Sequence, residues 1–591
     1  MPRPWRHLLL LTALCAIAYL PGLTNHGLTN WQESVRLAAT REMAVADDGR
    51  GDWVTPTIHG TPYLAKPPAI YWSQLVIAKL RGADVPTLFD LRLSVALAGW
   101  LGVLATYLVA RSLLRDDPEA GRLAFWAAAM LATGVLVVRA ARIGELDVLL
   151  VPLTALAVWG GWRAADSRAD CQIANGQMAR WVVSVAIGCI AFAGLALTKG
   201  PPGMLAAGLA ILGGIAAHAW VDERTGPRRL DVMIYIGLLI LVGAIVQAVD
   251  KARPGSFNEV VGLAFFTLAA IAVSSVVIGL CQPRGAGAVI VRSLRSGWPI
   301  GGAVGFGALW VWGEAVRASI GDAAVDAAVS REAGDNLNVL VLTAPSRGLE
   351  VVLYGAGLGS VAFIAAVVWM IKDRPRVSAG AVWALAWVVA PLIVYSSLGH
   401  GAHRYLLPIL PGVCIVGGWW VVNWFRDVVP KTGPRVFGAI VVMLAVGQGW
   451  WYGYGREVYY RDRSPRDYVA AVLSDPEVNP KRIASLDVWT PAFDVYAGAP
   501  VTPLLDIDMS SDFPHALTPI DAWLERIRAS GEPWTVLVRA SANPDFPDAP
   551  TAIERLRQTA LDIREISIPE EASFLADRWR TRMTAVVVTP R

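Results

Sequence analysis

A few residues of the sequence are of the types that acid–base and phosphate chemistry require. Glu33 and Lys66 lie in a polar stretch rich in tryptophan, proline and glycine, and Asp147, Lys199 and Arg404 lie in three shorter polar segments. A carboxylate can take a proton from an attacking hydroxyl. Lysine and arginine can stabilise the charge of a departing phosphate. These residue types therefore predict group transfer from a phosphorylated substrate.

Long apolar stretches separate these polar segments and predict a chain that crosses a membrane many times. Of the 591 residues, 55% are hydrophobic and only 17% are charged, whereas soluble proteins carry about 25% charged residues. A span needs about 20 apolar residues, and the 25 tryptophans suit interfacial anchoring. We predict about thirteen spans, at residues 7–23, 88–114, 122–138, 147–163, 181–198, 201–219, 230–249, 259–281, 297–315, 350–371, 381–398, 405–425 and 434–453.

The basic residues between the spans predict which polar segments share a side of the membrane. With the N-terminus in the cytoplasm, every inside loop holds three basic residues, and the short outside loops hold one or two. The apolar run after Arg6 is also compatible with a signal peptide, but the weak cleavage context at Pro21 and Gly22 favours a retained first helix. All the candidate residues then face the extracytoplasmic side. We expect a multi-pass membrane protein with a cytoplasmic N-terminus.

The chain is expected to divide into two domains. Residues 1–453 form the transmembrane domain, with the first extracytoplasmic loop at residues 24–87. Residues 454–591 are more charged and have mixed periodicity, which predicts a small extracytoplasmic α/β domain. Its predicted helices are residues 466–473 and 519–529, and its predicted strands are residues 482–488, 534–539 and 583–589. The fold class is an α-helical polytopic membrane protein with this C-terminal domain.

Composition argues against several other classes of protein. The net charge of +4 comes without a long basic run, so no nucleic-acid partner is expected. The five cysteines are scattered and form no CxxC pair, which argues against a disulfide framework or a zinc knuckle. A divalent metal with His59 or His403 is conceivable, but no ligand spacing supports it, and we assign no metal ligand.

The sequence motifs resemble those of bacterial lipid-to-acceptor glycosyltransferases of the GT-C fold. This group includes the aminoarabinose lipid A transferases and the protein O-mannosyltransferases. The resemblance covers the chain in outline and is specific in its first 205 residues. The matching pattern comprises Gln32-Glu33, Arg41-Glu42-Met43, Gly51-Asp52-Trp53, Tyr63 to Lys66-Pro67-Pro68, Tyr71-Trp72, Arg142 to Leu146-Asp147, Leu197 to Pro201, and Arg404 to Pro408 and Pro411.

The resemblance implies a role for each matching residue. The family's first loop carries an acidic pair near the acceptor, which falls on Gln32 and Glu33, and its second acidic residue falls on Asp147. Because Gln32 cannot act as a base, we predict Glu33 as the catalytic base, with Asp147 as the alternative. The donor phosphate is expected to bind Lys66, Lys199 and Arg404. The other expected substrate-binding residues are Trp31, Gln32, Tyr63, Tyr71, Trp72, Arg142, Glu145, His403 and Tyr405.

The predicted function is therefore glycosyl transfer from a polyprenyl-phosphate sugar to an extracytoplasmic acceptor, with inversion at the anomeric carbon. The acceptor could be a lipid A-like glycolipid, a glycan or a protein. Two alternatives remain open. One is a transporter or flippase for a lipid-linked sugar, although that class usually shows repeats and broken spans near the midplane. The other is a non-catalytic scaffold of envelope glycan assembly, in which Gln32 marks lost activity.

Overall fold

The chain divides into two units, which are described separately. The first unit contains Met1–Pro21, Leu64–Ile70 and Leu93–Trp450, and the second contains Gly22–Tyr63, Tyr71–Arg92 and Trp451–Arg591. The predicted spans at 230–249 and 259–281 lie outside the described residues. The computed structural model describes residues 4–45, 52–165, 177–222, 293, 295–327, 349–373, 377–397, 403–486, 488–505, 518–541, 551–559, 561–576 and 581–590.

Apolar helices make up most of the first unit. Within the described ranges, five helices are long and apolar enough to cross a membrane, or six if one bent pair counts as a span. A helix suits the hydrocarbon core of a membrane because it satisfies its backbone hydrogen bonds internally. The prediction of a mostly helical chain with apolar helices long enough to cross a membrane is confirmed, and the number thirteen stays a prediction. The five helices are Leu88–Leu113, Leu146–Ala165, Met178–Lys199, Arg404–Asp427 and Gly433–Arg463.

Further helices lie at or near other predicted spans. Four are shorter apolar helices, and a fifth, Trp298–Ile320, has 23 residues. Single π-helical turns occur at Val351–Gly355 and Trp451–Gly455. The four shorter apolar helices are Pro4–Tyr19, Pro201–Ala217, Leu358–Lys372 and Ala379–Tyr395.

Breaks between helices bring polar residues to helix ends in the first unit. The bent pair Ala120–Ala132 and Val135–Arg142 turns by 55°. A 3-10 helix, Leu146–Leu149, then leads into the next span. Gln177–Lys199 ends at Gly200, whose φ of +63° suits a residue without a Cβ. A second 3-10 helix, His403–Ile409, precedes Leu410–Asp427. Asp147, Lys199 and Arg404 lie at these breaks.

The second unit begins with the residues of the first predicted loop. Its helix Trp31–Ala44, here called the first-loop helix, begins after Asn30, whose side chain accepts a hydrogen bond from the Gln32 N–H at 2.9 Å. Such a side-chain cap satisfies one of the unpaired N–H groups at a helix start. Two short antiparallel strands follow, β1 (Thr57–Ile58) and β2 (Thr61–Pro62), here called the first-loop hairpin. The next helix is Ala69–Leu80.

The C-terminal part of the second unit contains a mixed sheet. Its strand order is β5-β4-β3-β6-β9-β7, with β8 also pairing β9. Strands β3 to β6 pair in parallel, and β9 runs antiparallel to β6, β7 and β8. The core between sheet and helices includes Trp523, Ile527 and Val536. The strands are β3 (Ile483–Leu486), β4 (Thr502–Leu505), β5 (Thr518–Pro519), β6 (Trp534–Arg539), β7 (Leu561–Ile566), β8 (Leu575–Ala576) and β9 (Thr581–Pro590).

Helices alternate with these strands along the chain. The helix and strand positions that the sequence predicts in this segment are confirmed to within a few residues. The second unit also includes residues 22–63 and 71–92, which the sequence assigns to the transmembrane domain. The domain boundary at residue 453 and the extracytoplasmic location of the tail stay predictions. The helices are Arg456–Tyr460, Arg466–Leu473, Pro491–Ala497, Ile520–Ser530 and Ala552–Arg557.

Candidate active site

A buried ion pair between Asp147 and Lys199 forms the centre of the candidate site in the first unit. The Lys199 ammonium donates a hydrogen bond to Asp147 Oδ1. The exposed fractions of the two side chains are 2% for Asp147 and 8% for Lys199. Asp147 is held by the 3-10 helix Leu146–Leu149, and Lys199 is the last residue of its helix. The two residues therefore meet because two helix breaks face each other.

Arg404 and Tyr405 join this pair from the second 3-10 helix. Arg404 Nε lies 3.8 Å from Asp147 Oδ2, so each carboxylate oxygen faces a different cation. The Lys199 Nζ lies 3.5 Å from the centroid of the Tyr405 ring, and the Arg404 Cζ lies 5.6 Å from it. An aromatic face attracts a cation at these distances. Arg404 is about one-third exposed, so this side of the cluster reaches solvent.

Lys66 and Tyr395 complete the cluster. Lys66 repels Lys199 electrostatically, and its ammonium donates to the Ala65 carbonyl at 2.6 Å. Tyr395 interacts electrostatically with Asp147 and Tyr405, and its hydroxyl donates to a backbone carbonyl at 2.5 Å. Lys199 and Arg404 thus face one carboxylate, and Lys66 lies close enough to Lys199 to interact with it electrostatically. Two cations against one carboxylate leave an excess of positive charge, which suits an anionic ligand.

Other predicted residues of the first unit have different partners. Arg142 is fully buried and donates to the backbone carbonyls of Tyr19 and Pro21, so it ties the end of the first helix in place. Glu145 lies 3.3 Å from Arg139. His403 is the first residue of the second 3-10 helix.

Glu33 lies in the second unit and is held by Arg92. Arg92 Nε donates to Glu33 Oε1 at 2.7 Å, and Nη2 lies 3.2 Å from Oε2. The same guanidinium donates to the carbonyls of Leu23, His26 and Gly27 at 2.7–3.2 Å. Both side chains of the pair are fully buried. This arrangement fixes the chain that enters the first-loop helix.

The neighbouring predicted residues of the second unit differ in exposure. Gln32 is half-buried, and its amide oxygen accepts a hydrogen bond from Arg36 at 3.1 Å. Trp31 is 38% exposed, whereas Tyr71 is fully buried. The Trp72 indole donates to the Trp53 carbonyl at 2.6 Å. The Tyr63 backbone N–H donates to the Pro56 carbonyl at 2.8 Å.

No metal site forms among the residues that the structure describes. In those ranges, no group of three or more histidine, cysteine, aspartate or glutamate side chains could hold a metal ion. His59, a candidate ligand from the sequence, instead pairs through Nε2 with Asp494 Oδ2 at 3.0 Å.

Sequence reasoning missed Arg92 and Tyr395, which interact with predicted residues. Arg92 lies inside the apolar span Leu88–Leu113, and an arginine within such a span is a signal that could have identified it. Tyr395 lies near the end of the apolar helix Ala379–Ser397, and no motif marks it.

Similarity to known proteins covers the candidate site in part. The family model described as dolichyl-phosphate-mannose-protein mannosyltransferase matches residues 65–246, which include Lys66, Asp147 and Lys199. The undecaprenyl phosphate-alpha-4-amino-4-deoxy-L-arabinose arabinosyl transferase 1 of Pseudomonas fluorescens is 30% identical over 250 residues, which are 42% of this chain and 40% of that protein. The corresponding transferase of Pseudomonas aeruginosa PAO1 is 32% identical over 163 residues, 27% of this chain and 28% of that protein.

Solved structures extend the similarity to nearly the whole chain. The crystal structure of ArnT from Cupriavidus metallidurans bound to undecaprenyl phosphate matches with a TM-score of 0.63 and 16% identity, and covers 99% of this chain and 98% of that chain. The chain therefore has the fold of this transferase, and the predicted resemblance to GT-C aminoarabinose transferases is confirmed. The sequence matches span less than half the length of the Pseudomonas relatives.

Proposed function

We propose that the protein is a membrane glycosyltransferase that moves a sugar from a polyprenyl-phosphate donor to an extracytoplasmic acceptor. The observation that carries this proposal is the pairing of Lys199 and Arg404 with Asp147, with Lys66 close enough to interact electrostatically with Lys199. A set of cations with one buried counter-ion suits a phosphate group that gains charge as its bond to the sugar breaks. The similarity to transferases that use undecaprenyl phosphate sugars supports the same donor class.

The donor phosphate would compete with Asp147 for its cations. Without donor, Lys199 and Arg404 each face one oxygen of the carboxylate. A phosphate oxygen that binds these two cations would draw them away from Asp147. The carboxylate would then be released to accept a proton at the moment when the donor is in place.

Asp147 is therefore our proposed general base in preference to Glu33. Both oxygens of Glu33 accept hydrogen bonds from Arg92, which is itself held by three backbone carbonyls and cannot easily move. In the proposed reaction, an acceptor hydroxyl oxygen attacks the anomeric carbon and its proton passes to Asp147. The bond from the anomeric carbon to the phosphate oxygen breaks, and polyprenyl phosphate leaves with the electron pair. Direct displacement inverts the anomeric carbon.

The remaining features of the proposal follow from the predicted topology. The candidate residues face the extracytoplasmic side of a bacterial inner membrane, and the C-terminal segment forms an α/β domain on that side. The acceptor is a lipid A-like glycolipid, as the resemblance to the aminoarabinose lipid A transferases implies. A glycan or a protein is the alternative acceptor.

The test is a transfer assay with purified protein in lipid and a panel of radiolabelled polyprenyl-phosphate sugars. For Lys199→Ala we expect a loss of turnover of about 10²- to 10³-fold, the usual effect of removing one group that stabilises developing charge. Asp147→Asn should reduce turnover and retain donor binding. The matched control is Arg122→Ala, because Arg122 is 63% exposed and pairs with Glu119 at 2.9 Å on a predicted cytoplasmic loop.

Each outcome separates the three functional hypotheses. Turnover of one donor that is lost in Lys199→Ala and kept in Arg122→Ala would support the transferase. Donor binding without turnover, together with movement of labelled lipid between leaflets, would support a flippase. Donor binding with neither activity would support a scaffold and contradict the proposal.

A further inference from the structure

Three aromatic rings of the second unit form a continuous stack that ends at solvent. The ring centroids of Trp31 and Trp489 lie 5.8 Å apart at an interplanar angle of 78°, and those of Trp489 and His59 lie 5.3 Å apart at 75°. Such edge-to-face contacts are the favoured geometry for aromatic pairs. Trp489 is 5% exposed, whereas Trp31 is 38% exposed. The outer ring is therefore presented to solvent on a rigid aromatic support.

A buried carboxylate fixes the inner part of this stack. Asp494 Oδ2 pairs with His59 Nε2 at 3.0 Å, and Asp494 Oδ1 accepts a hydrogen bond from the Val501 N–H at 2.7 Å. The Asp494 carboxylate also interacts with the Trp489 side chain. One carboxylate thus orients two of the three rings.

The first-loop hairpin holds His59 in an unusual backbone conformation. His59 has a φ of +52°, which is uncommon for a residue other than glycine. Glu42 of the first-loop helix stabilises this turn, because its carboxylate accepts hydrogen bonds from the Thr57 hydroxyl at 2.8 Å, the His59 N–H at 2.6 Å and the Gly60 N–H at 3.1 Å. Strained backbone that the surroundings hold in place is common at binding sites.

Gln32 lies next to the exposed ring in the sequence and adds a polar group. Arg36 donates to its amide oxygen, which fixes the orientation of the amide. The amide therefore offers its N–H groups to a ligand oxygen. An aromatic face with an adjacent amide suits a sugar ring, which has an apolar face of C–H groups and hydroxyls at its edge.

We propose that Trp31, supported by Trp489 and His59, is the platform on which a sugar ring of the acceptor stacks, with Gln32 as its hydrogen-bonding partner. This inference rests on the proposed glycosyl transfer and specifies where the saccharide part of its acceptor binds. It also gives the C-terminal segment a role, because Trp489 and Asp494 hold the platform in position.

The experiment titrates purified lipid A as acceptor at a fixed saturating donor concentration. Trp31→Ala should raise the KM for lipid A about 10-fold, which is the ~1.4 kcal/mol typical of a strong aromatic contact. Trp31→Phe, which keeps an aromatic ring, should raise it by less. The kcat and the KM for donor should stay within about twofold, as expected when an interaction made equally in ground and transition state is lost. Asp494→Asn should give an intermediate KM.

The matched control is Trp451→Ala, because Trp451 has nearly the same exposed fraction, 36%, in the same unit but lies outside the stack. Its KM for lipid A should equal that of the wild type. An unchanged KM for lipid A in Trp31→Ala would overturn the inference. The inference would also be overturned if the protein transferred the sugar efficiently to a protein acceptor and Trp31→Ala did not change that transfer. If Trp31→Ala does not fold, Trp31→Phe and Trp489→Phe take its place. An unchanged KM for lipid A in both variants would then overturn the inference.

Direct binding separates failure of this inference from failure of the proposed function. Labelled lipid A is bound to wild type and to Trp31→Ala without donor. If no donor is turned over, glycosyl transfer is refuted, and weaker binding by Trp31→Ala still supports the saccharide platform. Equal binding by both proteins would overturn the platform regardless of turnover.

Discussion

The substitution Glu33→Gln tests whether Glu33 positions the chain or takes a proton. Glu33 and Arg92 are both fully buried, so solvent does not screen their ion pair. Removing one partner of a buried ion pair typically costs about 3–5 kcal/mol, because the other charge stays buried without compensation. In Glu33→Gln the amide oxygen can still accept one hydrogen bond from Arg92, so we expect a loss of about 2–3 kcal/mol. In Glu33→Leu both bonds are lost, so we expect about 3–5 kcal/mol.

The assay is unfolding of the purified protein in mixed micelles, followed by circular dichroism as the denaturing detergent is increased. A double-mutant cycle with Arg92→Met isolates the interaction between the two side chains. We expect a coupling free energy of at least about 2 kcal/mol, given the bidentate geometry and full burial. Arg92→Met alone should also destabilise, because it leaves three backbone carbonyls without their donor.

Turnover measured on the same samples decides the role of Glu33. If Glu33 positions the chain, Glu33→Gln should lose activity in proportion to the fraction of protein that unfolds, and the folded fraction should keep most of its kcat. The reasoning would be refuted by a variant with wild-type stability and a loss of kcat of about 100-fold or more, a size typical of removing a general base. Glu33 would then be the base that the sequence first predicted.

Two further predictions concern the turn after Lys199 and the pair of His59 with Asp494. Gly200→Ala should lower the free energy of unfolding by about 1 kcal/mol, because Gly200 has a φ of +63°, which is strained for alanine. A steric clash does not contribute, because an added Cβ at Gly200 meets no atom within 4 Å. The control Gly188→Ala is equally open but lies in a helix, so it should not destabilise. Burial opposes charge on His59, but its hydrogen bond to Asp494 and the nearby carboxylates outweigh this and raise the pKa of His59. The protonated His59–Asp494 pair should therefore add stability that is fully present below about pH 6.5 and is lost as the pH rises through the raised pKa of His59. The free energy of unfolding should be higher at pH 6 than at pH 8.5 in the wild type through this pair, and Asp494→Asn should lack this dependence.

The sequence predicted much of the fold because its signals are local. Apolar length indicates a span, and strand and helix periodicities indicate elements such as Arg466–Leu473 and Trp534–Arg539, which the structure confirms. The roles of the candidate phosphate-binding residues stay predictions. Their selection rested on charge and position, because Lys199 ends an apolar stretch before Gly200, Lys66 precedes Pro67, and Arg404 precedes an apolar stretch, and a charge inside a membrane protein is costly without a function.

The sequence by itself determined which residues carry the charges, and only the tertiary structure decided which charges meet. Arg142 is close to Asp147 in the sequence, and proximity alone would pair the two. In the structure Arg142 binds backbone carbonyls, and Asp147 meets Lys199, 52 residues away. Likewise, Glu33 is held by Arg92 at a separation of 59 residues. The partner of a buried charge depends on how helices rotate and where their breaks lie, and these are set by packing of the whole unit rather than by neighbouring residues.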